Sequence, residues 1–145
     1  MKTEEVYKPF GNGKSINEIL YQINCWDSEL SFIKSELSFM SKWIINYPMN
    51  SNIPNFFEHI QLFVKDISNF ENDRKKLLEK IENYKIDLIG QDEQHHFETH
   101  NYYLTTFQKT AESIFNYHKN YRDLKGRIFE YFMNLIEANS LAHKN

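Results

Sequence analysis

Cysteine is almost missing from this chain. Cys25 is the only one among 145 residues, so no disulfide can form within it. That excludes the disulfide-stapled class of small domains and suits a reducing compartment. Proline and glycine are also scarce, at three and four residues, which leaves few points where a helix must break. All of these except Gly126 fall before or at the ends of the predicted helices. No apolar run reaches the roughly 18 residues that a membrane span needs. An excess of basic charge is absent as well. The formal charge of −3 and a pI near 6.1 argue against a general nucleic-acid binder. The first residues, Met1 to Val6, are acidic with no apolar run behind them, which predicts no signal peptide. The expectation is a cytoplasmic protein with neither a membrane nor a nucleic acid as its partner.

Catalytic signatures are lacking too. The sequence has no glycine loop of the kind that cradles phosphate, no nucleophile elbow and no Cys-x-x-Cys pair. No serine, histidine and acid are placed as in a hydrolase. No catalytic residue and no resident cofactor are expected, and the chain reads as a non-enzyme.

What the chain does have is apolar periodicity. Hydrophobic residues make up 41% and aromatics 16%, with 12 Phe and 9 Tyr, enough for a bulky core. The first ladder is Ile16, Ile19, Ile23, Trp26, Leu30, Ile33, Leu37, Met40, Ile44 and Tyr47. Steps of three and four keep all of these on one stripe of an α-helix. Ser15-Ile16-Asn17-Glu18 forms a capping box ahead of it, and Pro48 stops it. The second ladder is Ile53, Phe56, Ile60, Phe63, Ile67, Phe70, Arg74, Leu77, Ile81, Tyr84 and Leu88. Asn52 is the expected cap, Pro54 fits a first turn, and Gly90 offers a left-handed end. Behind Asp92, the third ladder reads Phe97, His100, Leu104, Phe107, Ala111, Ile114, His118, Tyr121, Lys125 or Leu124, Ile128, Phe132 and Leu135. Its repeat runs unbroken through Asn116–Asn120, where a four-helix chain would need a turn, and only Gly126 could bend it. The fold class is therefore all-α: an elongated, antiparallel three-helix bundle, coiled-coil-like, over residues 15–145. Residues 1–14 make a flexible N-terminal tail.

Polar residues on the inner stripes are the candidate sites. Counting back from the two turns, with an error of about one helical turn, sets Glu29 beside Arg74 and Ala111. A buried Glu29–Arg74 pair would fix the register of the bundle, because a slip would leave a charge unpaired; the alternative is an arginine that snorkels to any surface acid. The same counting puts His118 near Glu36 and Asp66, most simply as a packed, hydrogen-bonded histidine. Glu93, His96 and His100 lie on one helix face. Glu93-x-x-His96 has the spacing of the carboxylate–histidine pair of di-iron bundles, but no second such pair exists. The set is incomplete beside ferritin or hemerythrin, and one transition-metal ion is the alternative cofactor. A polar first turn explains the same residues without metal. The run from Tyr117 to Arg127 mixes bases with aromatics in a pattern that can bind single strands, yet it also fits a solvated helix face.

A second apolar row remains. Phe32 and Phe39 occupy the c position of the first helix's heptad, with Glu36 and Trp43 nearby. Rows beyond the core either widen it or mark an interface. Phe32, Phe39 and Trp43 are the expected interface residues, for a protein partner or a homo-oligomer. The competing reading lays Val6, Tyr7 and Phe10 of the tail over this row.

Two segments also carry a resemblance. Trp26-x-x-Glu29-Leu30-x-Phe32-x-x-x-Glu36-x-x-Phe39, together with Leu124-Lys125-x-Arg127-Ile128-Phe129-Glu130-x-Phe132, resembles a group of small uncharacterised helical-bundle proteins of bacteria. The resemblance implies the helical fold and no activity.

Overall fold

A computed structural model describes residues 15–48, 52–91 and 97–144, with side chains over 15–48, 52–90 and 103–138. The expected tail, residues 1–14, lies outside the described residues, as does Asp92. Among those described, the chain is all-α and forms α1 (Ile16–Ile45), α2 (Phe56–Gln91) and α3 (Phe97–Lys144). At 30, 36 and 48 residues they are about 45, 54 and 72 Å long. α3 runs straight through Asn116–Asn120 and Gly126, as the unbroken repeat predicts.

The capping box of α1 is present. Ser15 Oγ accepts from Glu18 N–H at 3.2 Å, and Glu18 Oε1 accepts from Ser15 N–H at 2.7 Å. At the other end the Asn46 side chain donates to the Lys42 carbonyl at 2.9 Å, satisfying a carbonyl that the ending helix leaves open. The start of α2 differs from expectation. Asn55 has φ of +59°, so the helix cannot begin at Asn52 and Pro54 precedes it instead of filling its first turn. Asparagine tolerates this left-handed geometry, and the Asn55 carbonyl accepts the first helical bond, from His59 N–H at 3.0 Å. Gly90 is not a left-handed cap either, since α2 continues helically through it to Gln91.

One core runs the length of the bundle. α1 buries the eight inner rungs of its ladder, Ile19 to Ile44. α2 buries Phe56, Phe63, Ile67, Arg74, Ile81, Tyr84 and Leu88. In α3 one row is displaced from expectation. Tyr103, Thr110, Tyr117 and Leu124 are buried, whereas Leu104, Ala111, His118 and Lys125 are only half-buried. Both rows satisfy three–four spacing, and the partner helices decide between them. The inner row faces α2, where the Tyr103 and Tyr117 hydroxyls donate to the Asp87 and Phe70 carbonyls at 3.0 and 2.9 Å. The outer row turns toward α1. The backbones of α1 and α2, and of α2 and α3, approach closely; α1 and α3 meet through long side chains such as stacked Trp26 and Phe107, 5.4 Å apart.

Candidate functional site: the α1–α3 seam and its outer face

Residues spaced by seven place Glu29, Glu36 and Trp43 on the side of α1 that meets α3. Each finds a partner in the α3 row His118, Lys125 and Phe132. Glu29 Oε1 lies 3.1 Å from His118 Nε2. Both Glu36 oxygens accept from Lys125 Nζ at 3.1 Å. The Trp43 and Phe132 rings sit 4.7 Å apart. All three pairs share one offset along the chain, so α1 and α3 run parallel at a constant register. Tyr121, one residue step inward, donates to Glu36 Oε1 at 2.7 Å. Burial first, and then this bond to a carboxylate, push the Tyr121 hydroxyl well above its ordinary range. Burial does the same to Tyr117.

The structure corrects the expected Glu29–Arg74 pair. Arg74 is buried, with 3% of its surface exposed, but its carboxylate is Glu71. Nε and Nη2 donate to the two Glu71 oxygens at 2.8 Å each. The hydrogen bond with Arg74 holds the Glu71 carboxyl below its usual range. Glu29 takes His118 instead. His118 therefore does not sit with Glu36 or Asp66; Glu36 holds Tyr121 and Lys125, and Asp66 lies 3.7 Å from Arg127. Relative to α1, α3 is shifted by about two turns from the counted layers: counting sets His118 beside Glu36, and it lies on Glu29. That is more than the turn of error allowed for. The Glu71-x-x-Arg74 spacing was visible in the sequence as an i,i+3 ion pair and was the signal that counting between helices passed over.

Of the expected metal ligands, Glu93 and His96 lie outside the described residues, and His100 belongs to α3 without a described side chain. Among the described residues no group of three or more His, Cys, Asp or Glu is placed to hold a metal ion. No helix of the described residues is long and apolar enough to cross a membrane. The basic and aromatic run of α3 is largely used internally. Tyr117, His118, Tyr121, Lys125 and Arg127 all bond to groups of the protein itself.

Two open grooves lie between α2 and α3. The larger, about 420 Å³, is lined by His59, Leu62, Phe63, Asp66, Arg127, Glu130, Tyr131 and Asn134. His59 stacks on Tyr131 at 4.6 Å. The Tyr131 hydroxyl is buried with no hydrogen-bond partner, and burial raises its pKa. The smaller groove, about 370 Å³, passes Asp73, Lys76, Lys80, Ser113 and Tyr117.

The expected interface residues separate into two kinds. Phe32 and Phe39 each leave 64% of their surface in water. Trp43 is half-buried. It stacks behind Phe39 at 6.5 Å and touches Phe129 at 5.9 Å, so it belongs to the seam and supports the outer ring. Phe129 and Phe115 are exposed on α3, extending the aromatic surface across the seam. The chain matches no protein-family model, no curated protein and no solved structure.

Proposed function

We propose that this protein is a non-enzymatic association module, which binds a protein surface, foremost its own, through the aromatic outer side of α1. Phe32 and Phe39 are the anchors, and Trp43 is the platform that holds Phe39 outward. The observation that carries this reading is the exposure of two phenylalanines, seven residues apart, on a helix whose inner ladder is already buried. Exposed aromatic surface of this kind costs solubility unless a partner covers it, and aromatics are enriched at the centres of interfaces. The constant α1–α3 offset supports a coiled-coil-like packing, which holds both rings on a rigid rod.

Light scattering on the eluted protein tests the reading. The wild type is expected to have a mass above one chain, and a folded Phe32→Glu/Phe39→Glu variant the mass of one chain. A wild type of single-chain mass at all concentrations, with no partner protein retained by it, overturns the proposal.

A further inference from the structure

A second exposed apolar surface lies where α1 begins, on its seam with α2. Lys85 Nζ stands 3.5 Å from Asn24 Oδ1 across that seam, and Tyr47 meets Phe56 at the far end, so the two helices run antiparallel. Leu20, one turn before Asn24, and Ile89, one turn after Lys85, therefore form the next rung toward the end of the bundle. Leu20 is half-buried against the core, whereas Ile89 is 54% exposed. Tyr21 and Ile86 stand about 60° further out, round their helices from Asn24 and Ile89. They are 71% and 57% exposed. The chain enters α1 at this same end. Ser15 is extended, with φ of −85° and ψ of 169°. Ahead of it come the apolar residues Val6, Tyr7 and Phe10, with Gly11 and Gly13 between Phe10 and the helix. Glycine lets the chain reverse there without steric cost.

Reach decides which apolar surface this segment can cover. Fully stretched, the chain from Ser15 spans about 18 Å to Phe10, about 29 Å to Tyr7 and about 32 Å to Val6. Along α1, Tyr21 lies about 9 Å from Ser15, Phe32 about 26 Å and Phe39 about 36 Å. Phe10 thus has ample slack at the Leu20–Ile89 rung and falls short of Phe32. Tyr7 and Val6 come level with Phe32 only when drawn out straight, and neither comes level with Phe39. Phe115 stands alone on α3, level with Trp26 by the Glu29–His118 offset and about 17 Å along, at the limit for Phe10. We infer that residues 6–10 of this chain strap the α1–α2 seam at its Ser15 end, with Phe10 seated on Leu20 and Ile89 between Tyr21 and Ile86. Burying a phenylalanine ring against these side chains supplies the driving force. The strap goes beyond the association reading and is compatible with it, because it leaves Phe32 and Phe39 open to a partner.

Urea midpoints of the full chain test the strap through a double-mutant cycle. Phe10→Ala is expected to lower the midpoint by roughly 0.3–0.5 M. In an Ile89→Ser background the same substitution should have less than about half that effect, because residues in contact are not additive. In Phe39→Ser and Phe115→Ser backgrounds the effect should remain whole. No effect of Phe10→Ala, or an equal effect in every background, overturns the inference. Loss of the effect with Phe115→Ser places the segment on α3 and overturns it as well. In each of these cases the association reading stands. Loss of the effect with Phe39→Ser lays the segment over the outer face of α1, and then both fall. Coupling to Ile89 that appears only at high protein concentration assigns the strap to a second copy and overturns its attachment to its own bundle.

Discussion

The hydroxyl of Tyr121 on α3 donates a 2.7 Å hydrogen bond to Glu36 on α1. It joins the two helices whose backbones stand furthest apart, at a level where Lys125 neutralises the same carboxylate. The bond is charge-assisted and half-sheltered, which is where a hydrogen bond contributes more than its average. Replacing Tyr121 with Phe keeps the ring and removes the bond. The expected loss at neutral pH is about 2 kcal/mol, measured as a lowered urea midpoint with an unchanged slope.

Tyr117 and Tyr121 both hold their protons more tightly folded than unfolded. Their contribution to stability is therefore complete below the ordinary tyrosine value of about 10 and is lost as pH rises beyond it. The urea midpoint should fall between pH 9 and pH 11, values chosen to straddle roughly that point. The fall should be shallower in Tyr121→Phe. An unchanged fall in that variant would mean that Tyr121 titrates normally.

Glu71 carries the opposite sign. Its folded carboxyl ionises more readily than an unfolded one, so the contribution is complete above about pH 4.3 and is lost as pH drops through the lower folded value. Glu71→Gln leaves the buried Arg74 with a neutral acceptor and should cost about 2 kcal/mol at pH 7. The same variant should lose part of the acid dependence in a denaturation series from neutral pH downward.

Arg74 also shows where the sequence could be read and where it could not. Its burial follows from its place on the ladder. Its partner does not, because matching residues across helices from loop positions accumulates error, and α3 lies about two turns from the level assigned to it beside Glu29. The consequence is physical. An i,i+3 pair brings its own counterion, so a slipped α3 would not leave Arg74 unpaired. Register is held instead by contacts between helices: Glu29 with His118, Glu36 with Tyr121 and Lys125, and tyrosine hydroxyls on α2 carbonyls. On α1 eight of the ten ladder residues are buried, and the further row of Phe32 and Phe39 is too sparse to compete with them. On α3 two rows compete, and the more apolar-looking Leu104 and Ala111 lose to Tyr103 and Thr110. The tyrosine hydroxyls find acceptors on α2, which no single-helix pattern reveals. The exposure of Phe32 and Phe39 was legible from their c position.

Tyr131 is expected to respond in the other direction. Its hydroxyl is buried without a partner, and its ring packs against His59, Phe63 and Phe132. Tyr131→Phe keeps the packing and removes an unsatisfied group. It should leave stability unchanged or raise it by up to about 1 kcal/mol. A loss of that size would reveal a hydrogen bond to this hydroxyl.

Gly126 is exposed in the interior of α3, and a Cβ added there meets nothing within 4 Å. Gly126→Ala should stabilise the protein by about 1 kcal/mol through helix propensity alone, which corresponds to a rise of roughly 3 °C in Tm. Loss of stability would mean that the bare glycine surface is covered by something.

Every assignment to the outer side of α1 depends on α3 running parallel to it at the offset of Glu29 and His118. Pulsed electron spin resonance measures that offset directly, with label pairs in a Cys25→Ser background diluted in unlabelled protein. Labels at Ser28 and Lys119 sit at one level of the bundle. Labels at Ser28 and Met133 are displaced by a further 21 Å or so along the axis. The Ser28–Lys119 distance should be the shorter by a wide margin. Equal distances, or the reverse order, would contradict the register and remove the outward face with it.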